Sequence, residues 1–197
     1  MTGSSRILQQ TKEFVCAQTS KNDAAHDPEH IFRVVALTQT LCKAYPQADA
    51  FRAELLAWLH DLTDDKLASN IGADSIAEFL RQIGVDDADI VFITQALPYI
   101  SYRKYPKLPP ETLLEIRIVQ DADRIDAMGA MGIARTFAYG GAKGRSLADS
   151  LAHFDEKLLL LYDLLSTEEA KRIALPRHRF LQEFYGNFKA ESPCNSR

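Results

Sequence analysis

The chain has 197 residues and a net charge of −4, with 46% hydrophobic and 25% charged residues, which is ordinary globular composition. A chain of this length can bury a full core without disulfide staples, so disordered, collagen-like and disulfide-scaffold proteins are excluded. The acidic balance argues against a nucleic-acid polymer as partner. No apolar run approaches the roughly 18–20 residues that a membrane span requires.

Apolar residues recur at helical spacing along the chain, and each recurrence predicts an amphipathic helix. In chain order, the predicted helices lie around residues 7–15, 31–42, 51–59, 76–83, 86–99, 113–128, 151–165 and 173–188. Gly84 is predicted to end the fourth helix, and loops are predicted at 102–110 and 140–144. No alternating pattern or hairpin dipeptide supports strands. We therefore expect an all-α bundle of about eight or nine helices.

The three cysteines are odd in number and lack CxxC spacing, so neither a disulfide framework nor a cysteine zinc site is predicted. Cys16 and Cys42 lie at helical spacing among apolar residues and are interpreted as reduced core residues. The polar residues 1–12 argue against a secretory signal, and a cytoplasmic location is expected. No low-complexity linker divides the chain. We expect one domain over residues 1–191 and a disordered tail over 192–197.

Two polar residues, His60 and Asp61, end the continuously apolar stretch 55–59. Buried polar groups require partners, and a divalent metal is one such partner. The alternative is a His–Asp pair that caps the helix end, and this dipeptide alone favours it. Asp27 and Pro28 are typical of an N-cap followed by a first-turn proline, which places His30 in the first turn of the second helix.

A further carboxylate, Asp121, lies in the predicted helix 113–128 beside the apolar stripe of Ile118 and Ala122. It is the acid of that helix expected to face inward. Together with His30, His60 and Asp61 it completes the order H…HD…D.

This order resembles that of the HD-domain metal-dependent phosphohydrolases. The likeness is carried further by residues 26–34, 59–66, 118–141 and 153–158, and it spans roughly residues 5–190. These segments resemble the small single-domain subgroup of bacteria and fungi. The resemblance implies a helical HD domain that cleaves a phosphate ester or anhydride by attack of metal-activated water, with a nucleotide as the expected substrate.

The resemblance implies one divalent ion held by His30, His60, Asp61 and Asp121. Two imidazoles and two carboxylates suit Mn, Mg, Co, Ni, Fe or Zn, and the sequence does not choose among these metals. Four protein ligands leave about two positions on a six-coordinate ion for water and a phosphate oxygen. No histidine lies between Asp61 and Asp121. Because binuclear HD-type enzymes carry further histidines in that interval, one ion is expected.

Charged residues near these ligands are candidates for catalysis and substrate binding. Asp64 matches an acidic position of the family and is predicted to orient the water or protonate the leaving oxygen; the alternative is a turn residue that ends the helix. Lys66 is predicted to bind phosphate, with a solvated lysine as the alternative. His26 is predicted to touch the substrate or to hold the loop before Pro28.

Arginines and a lysine further along the chain extend this set. Arg124, three residues after Asp121, is predicted to bind a substrate phosphate, with an ion pair to Asp121 or Asp61 as the alternative. Arg103 and Lys104 follow a helix end in a segment that resembles one of the family, and they are further candidates to meet a polyphosphate.

Two groups of residues are interpreted as structural. The glycines near the predicted loop 140–144 do not fit a phosphate loop and are predicted to serve helix packing and helix termination. They are Gly129, Gly132, Gly140, Gly141 and Gly144. His178 lies between two arginines and is predicted to belong to a solvated basic patch.

Two classes of function follow from these residues. The first is an enzyme whose partner is a small phosphate-bearing molecule, with no membrane and no nucleic-acid polymer involved. The second is a non-catalytic helical module with a structural metal or a regulatory nucleotide pocket, because a fold does not fix a function. The sequence leaves open whether the chain forms a homo-oligomer.

Overall fold

The structure is a computed structural model that describes residues 3–19, 29–63 and 70–192. This part of the chain contains nine α-helices and three short 3-10 helices, without a strand, which confirms the all-α prediction. The α-helices are α1 (Gly3–Thr19), α2 (Glu29–Ala44), α3 (Ala50–Leu59), α4 (Ala73–Gln82), α5 (Asp87–Ile100), α6 (Leu114–Asp126), α7 (Gly129–Ala142), α8 (Leu147–Glu156) and α9 (Glu168–Glu191). The 3-10 helices are His60–Thr63, Leu158–Leu160 and Tyr162–Leu164.

The chain divides after Ala122 into two compact units. The expectation of one domain over residues 1–191 stays a prediction, and residues 193–197 of the predicted tail lie outside the described residues. None of the helices within the described ranges is long and apolar enough to cross a membrane.

Helix α3 forms the centre of the first unit because α1, α2 and α5 all pack against it. The side chains of its C-terminal half, residues 55–59, are consequently buried on every face, including Leu55, Leu56 and Leu59 at 0% exposure. A helical segment that is apolar all round, as residues 55–59 are, is stable only when it is enclosed in this way. The enclosure fixes the position of the polar residues that follow Leu59.

Helix α4 ends as its sequence predicts. Gly84 has a φ of 85°, its N–H donates to the Arg81 carbonyl, and the Val85 N–H donates to the Leu80 carbonyl. This pair of hydrogen bonds is the Schellman motif, which favours glycine because the left-handed backbone carries no Cβ penalty there.

Of the two cysteines predicted to be core residues, Cys42 is buried, whereas Cys16 is partly exposed. Cys42 is a free thiol in α2. Burial, with a smaller contribution from the nearby carboxylate of Glu115, raises its pKa to about 11. Because the thiolate is the reactive form, this thiol is inert near neutral pH.

The second unit departs from the predicted elements at two places. Residues 129–142 form helix α7, so Gly140 and Gly141 lie in its last turn instead of in a loop. The predicted helix 151–165 is shorter: α8 begins earlier and ends at Glu156, and two 3-10 helices follow it. Lys157 separates these elements with a non-helical φ of −142°.

Glycines in α7 allow close packing, in line with their predicted structural role. A Cβ on Gly132 would lie 2.0 Å from the Ala127 carbonyl oxygen, and one on Gly140 would lie 2.0 Å from Ser150 Oγ. Neither position has room for a larger residue.

His178 does not lie in a solvated patch. Its ring stacks on Tyr162 with centroids 4.9 Å apart, and its Nδ1 is buried without a hydrogen-bond partner in the described chain. Burial lowers the pKa of His178, and Asp163 opposes that shift in part. Burial therefore favours the neutral form of this histidine.

Candidate metal centre

Two elements of the first unit carry the predicted histidine and aspartate ligands. His30 is the second residue of α2. His60 is the C-cap of α3 and opens the 3-10 helix that contains Asp61. Because α2 packs against α3, these two helix ends lie together. The fold thus joins residues that are about thirty positions apart in sequence.

The ligand atoms of His30, His60 and Asp61 all lie within 4.8 Å of one another. Asp61 approaches both histidines, with Oδ1 3.3 Å from His60 Nε2 and Oδ2 3.6 Å from His30 Nε2. The imidazole rings meet edge to face, with centroids 5.4 Å apart and planes at 70°. The arrangement directs two nitrogens and a carboxylate towards one volume.

Burial of this group is uneven. The side chains of His30 and His60 are 6% and 2% exposed, whereas the Asp61 side chain is 28% exposed. The imidazoles therefore lie in the interior, and solvent reaches the group on the side of Asp61.

The tautomer of the His60 ring follows from its hydrogen bond. Nδ1 lies 2.7 Å from the Ala57 carbonyl oxygen. A carbonyl can only accept, so Nδ1 carries the proton and the lone pair of the neutral ring is on Nε2. That Nε2 is buried and has no hydrogen-bond partner among the residues that the structure describes. A fixed, unsatisfied lone pair is what a metal-ligating histidine presents.

A divalent ion fits this group. Ligands bound about 2.1 Å from a common ion are separated by about 3.0–3.4 Å in octahedral or tetrahedral geometry, close to the two nitrogen–oxygen distances. The ion would also satisfy the buried Nε2 of His60, whose desolvation otherwise costs free energy. His30, His60 and Asp61 can therefore hold a metal, and the donor set does not select its identity.

The fourth predicted ligand, Asp121, is fully buried in α6. It lies in the same unit as the three clustered residues but is not a member of the group defined by the 4.8 Å separation. Its burial agrees with the inward orientation expected from the sequence. Metal ligation by Asp121 stays a prediction.

Arg124 occupies a buried position in the second unit. Only 2% of the residue is exposed, and its guanidinium donates a hydrogen bond to the Leu164 carbonyl. This contact ties α6 to the 3-10 helix Tyr162–Leu164. Phosphate binding by Arg124 stays a prediction, and the structure adds a structural role that the sequence did not indicate.

Three predicted residues lie outside the described part of the chain. They are His26, Asp64 and Lys66. Their roles in substrate binding and catalysis stay predictions.

One buried residue beside the site was not found from the sequence. Gln120 is 0% exposed, and its Nε2 donates to the Tyr99 carbonyl at 2.6 Å and the Tyr105 carbonyl at 3.1 Å. The signal was a glutamine within an apolar stripe. The partners of Gln120 are backbone carbonyls, and the sequence does not show which carbonyls a side chain will contact.

The HD-domain family model matches residues 29–128, a span that includes all four predicted metal ligands. The chain belongs to the HD-domain family. YpgQ, an uncharacterised protein of Bacillus subtilis strain 168, is 35% identical over 195 residues, which cover 94% of this chain and 93% of YpgQ.

Two solved structures are similar to this chain. The crystal structure of B. subtilis YpgQ in complex with ADP has a TM-score of 0.84 at 30% identity and covers 100% of both chains. An HD-superfamily hydrolase from Bacillus thuringiensis has a TM-score of 0.77 at 35% identity, again with 100% of both chains covered.

Proposed function

We propose that the protein is a metal-dependent phosphohydrolase that cleaves a phosphate ester or anhydride of a nucleotide. The observation that carries the proposal is the group of His30, His60 and Asp61, in which the buried Nε2 of His60 has no hydrogen-bond partner in the described residues. The HD-superfamily hydrolase from B. thuringiensis, 35% identical, supports the hydrolase class.

In this proposal His30, His60, Asp61 and Asp121 hold one divalent ion. Such an ion supplies Lewis acidity, which lowers the pKa of a bound water and polarises a phosphoryl group. The Ala57 carbonyl keeps the His60 ring in the tautomer that presents Nε2. The exposed edge of Asp61 is the side from which a substrate reaches the centre.

A nucleotide is the proposed substrate because YpgQ has a structure in complex with ADP and this chain matches YpgQ over nearly its whole length. Asp64 is proposed to orient the attacking water or to protonate the leaving oxygen. Lys66, Arg124 and His26 are proposed to bind the substrate.

The test is hydrolysis of nucleoside mono-, di- and triphosphates by the chelated protein after addition of each divalent metal. Free phosphate and pyrophosphate are measured separately, because they distinguish ester cleavage from cleavage between the α and β phosphates. Asp61→Ala should lose metal and activity together. Asp74→Ala, an exposed aspartate at the start of α4, is the matched control and should keep both.

A protein that binds a stoichiometric metal but hydrolyses none of these compounds would contradict the proposal. It would favour instead the non-catalytic helical module with a structural metal or a regulatory nucleotide pocket.

A further inference from the structure

The segment between α5 and α6 begins with a turn that is stabilised by a backbone hydrogen bond and by a contact between two tyrosine rings. The Tyr105 N–H donates to the Ser101 carbonyl at 2.9 Å. The rings of Tyr99 and Tyr105 stack with centroids 4.4 Å apart and planes at 27°. The three residues between Ser101 and Tyr105 therefore form a short turn whose two ends are held together by backbone and side-chain contacts.

Gln120, a buried residue of α6, connects this turn to α6 by hydrogen bonds. Its two amide hydrogens go to the carbonyls of Tyr99 and Tyr105, one at each end of the turn. The residue is completely buried, so water does not replace these bonds easily. A buried side chain that donates to both ends of the turn fixes the turn relative to α6, the helix that carries Gln120.

Two adjacent cations lie on this turn. Arg103 and Lys104 are exposed, and neither has a hydrogen bond or an ion pair within the described residues. No acidic residue occurs between Ile100 and Glu111. The chain has a net charge of −4, and this turn carries a local excess of positive charge.

The turn is attached to two elements of the candidate metal centre. Gln120 immediately precedes Asp121, the proposed fourth ligand, on α6. Helix α5, which leads into the turn, packs against the 3-10 helix that holds His60 and Asp61. The cations are thus carried by a rigid turn whose supports are the elements that bear the proposed ligands.

From these contacts we propose that Arg103 and Lys104 bind the polyphosphate of the nucleotide and that Gln120 is the positioning residue of this turn. The inference rests on the proposed function. Unpaired cations on a fixed turn lose less conformational freedom on binding an anion than cations on a mobile loop. The chemistry that they recognise is a chain of phosphates, because two adjacent positive charges match more than one phosphate group.

The experiment is calorimetric binding of inorganic tripolyphosphate to the metal-loaded protein, together with KM and kcat for a nucleoside triphosphate and monophosphate. Exposed charge pairs are individually weak. The double variant Arg103→Ala/Lys104→Ala should therefore weaken tripolyphosphate binding and raise the triphosphate KM by roughly 3- to 30-fold. The monophosphate KM and both kcat values should change little.

Lys107→Ala is the matched control, because Lys107 is an exposed cation of the same segment that lies outside the turn. It should leave tripolyphosphate binding unchanged. Because Lys107→Ala removes one charge, it is compared with the single variants Arg103→Ala and Lys104→Ala. An effect of Lys107→Ala as large as that of either single variant would show that only net charge matters and would overturn the inference.

Gln120→Leu tests the positioning role. It should raise the triphosphate KM in the parent protein but add nothing in the Arg103→Ala/Lys104→Ala background, since coupled residues give non-additive effects. A merely structural role for Gln120 predicts equal effects in both backgrounds. If Gln120→Leu does not fold, the Arg103 and Lys104 variants still decide the cation role.

Failure of this inference is distinguishable from failure of the proposed function. If the parent hydrolyses nucleotides and binds tripolyphosphate but the double variant behaves as the parent does, the cation role is refuted and the hydrolase proposal stands. If the parent neither hydrolyses nucleotides nor binds tripolyphosphate, both fall together.

Discussion

Removal of the His60 imidazole should abolish the stabilisation of the protein by divalent metal. In the parent, a metal present at about one hundred times its Kd stabilises the folded state by about 2.7 kcal/mol. For a chain of about 200 residues, each kcal/mol moves Tm by about 2–4 °C. We therefore expect metal to raise the parent Tm by about 5–11 °C, and to raise the Tm of His60→Ala by less than about 1 °C.

His60 is the informative ligand because its Nε2 lone pair is fixed by the bond from Nδ1 to the Ala57 carbonyl and is buried. The substitution also removes buried volume and lowers the metal-free Tm, so the measured quantity is the difference between chelated and metal-loaded samples of each variant. Thermal melting by circular dichroism gives this difference, and elemental analysis of the same samples gives the metal content.

His153→Ala is the control, since His153 lies on α8 and contacts Glu156 at 3.8 Å, outside the metal group. It should keep the full metal-dependent rise in Tm. If His60→Ala also kept the full rise and about one metal per chain, the assignment of His60 as a ligand would be refuted.

Four further predictions concern other residues. Asp64→Asn should lower kcat by about 10²–10⁴-fold while metal content by elemental analysis stays near that of the parent; an unchanged kcat with a loss of about 1 kcal/mol in stability would instead identify Asp64 as a cap. Gly132→Ala should destabilise the fold by about 1–3 kcal/mol in urea unfolding because its Cβ meets the Ala127 carbonyl. Gly141→Ala, with open space at its Cβ, should stabilise α7 by about 0.5–1 kcal/mol. Burial lowers the pKa of His178, so below about pH 6.5 the unfolded chain binds a proton more readily than the folded chain does. The free energy of unfolding should therefore fall as the pH drops through this range. His178→Asn should flatten that dependence in urea titrations at several pH values.

The helices of the first unit could be predicted because their apolar residues repeat at the helical period and their ends carry local signals. Gly84 ends α4 through hydrogen bonds to residues only three and five positions earlier, so the sequence contains all the information required. The trio of His30, His60 and Asp61 was likewise identified from residue types and their order. The structure adds the separations of 3.3 and 3.6 Å that make one ion a reasonable partner.

Helix α7 could not be predicted in the same way. Its sequence contains four glycines, Gly129, Gly132, Gly140 and Gly141, and glycine disfavours a helix by about 1 kcal/mol relative to alanine. Local propensity therefore indicated a loop at its end. Tertiary packing decides otherwise, because Gly132 and Gly140 allow contacts with the Ala127 carbonyl and Ser150 that any side chain would prevent.

The same limit applies to the polar residues of α6. The order of residues does not indicate that the Arg124 guanidinium binds the Leu164 carbonyl, forty positions away. Gln120 binds the carbonyls of Tyr99 and Tyr105. Every residue has a backbone carbonyl. The sequence therefore does not show which carbonyl accepts such a hydrogen bond. Metal ligands are recognisable because their partner requires particular side chains, whereas side chains that hold a loop through its backbone become visible only when the fold is known.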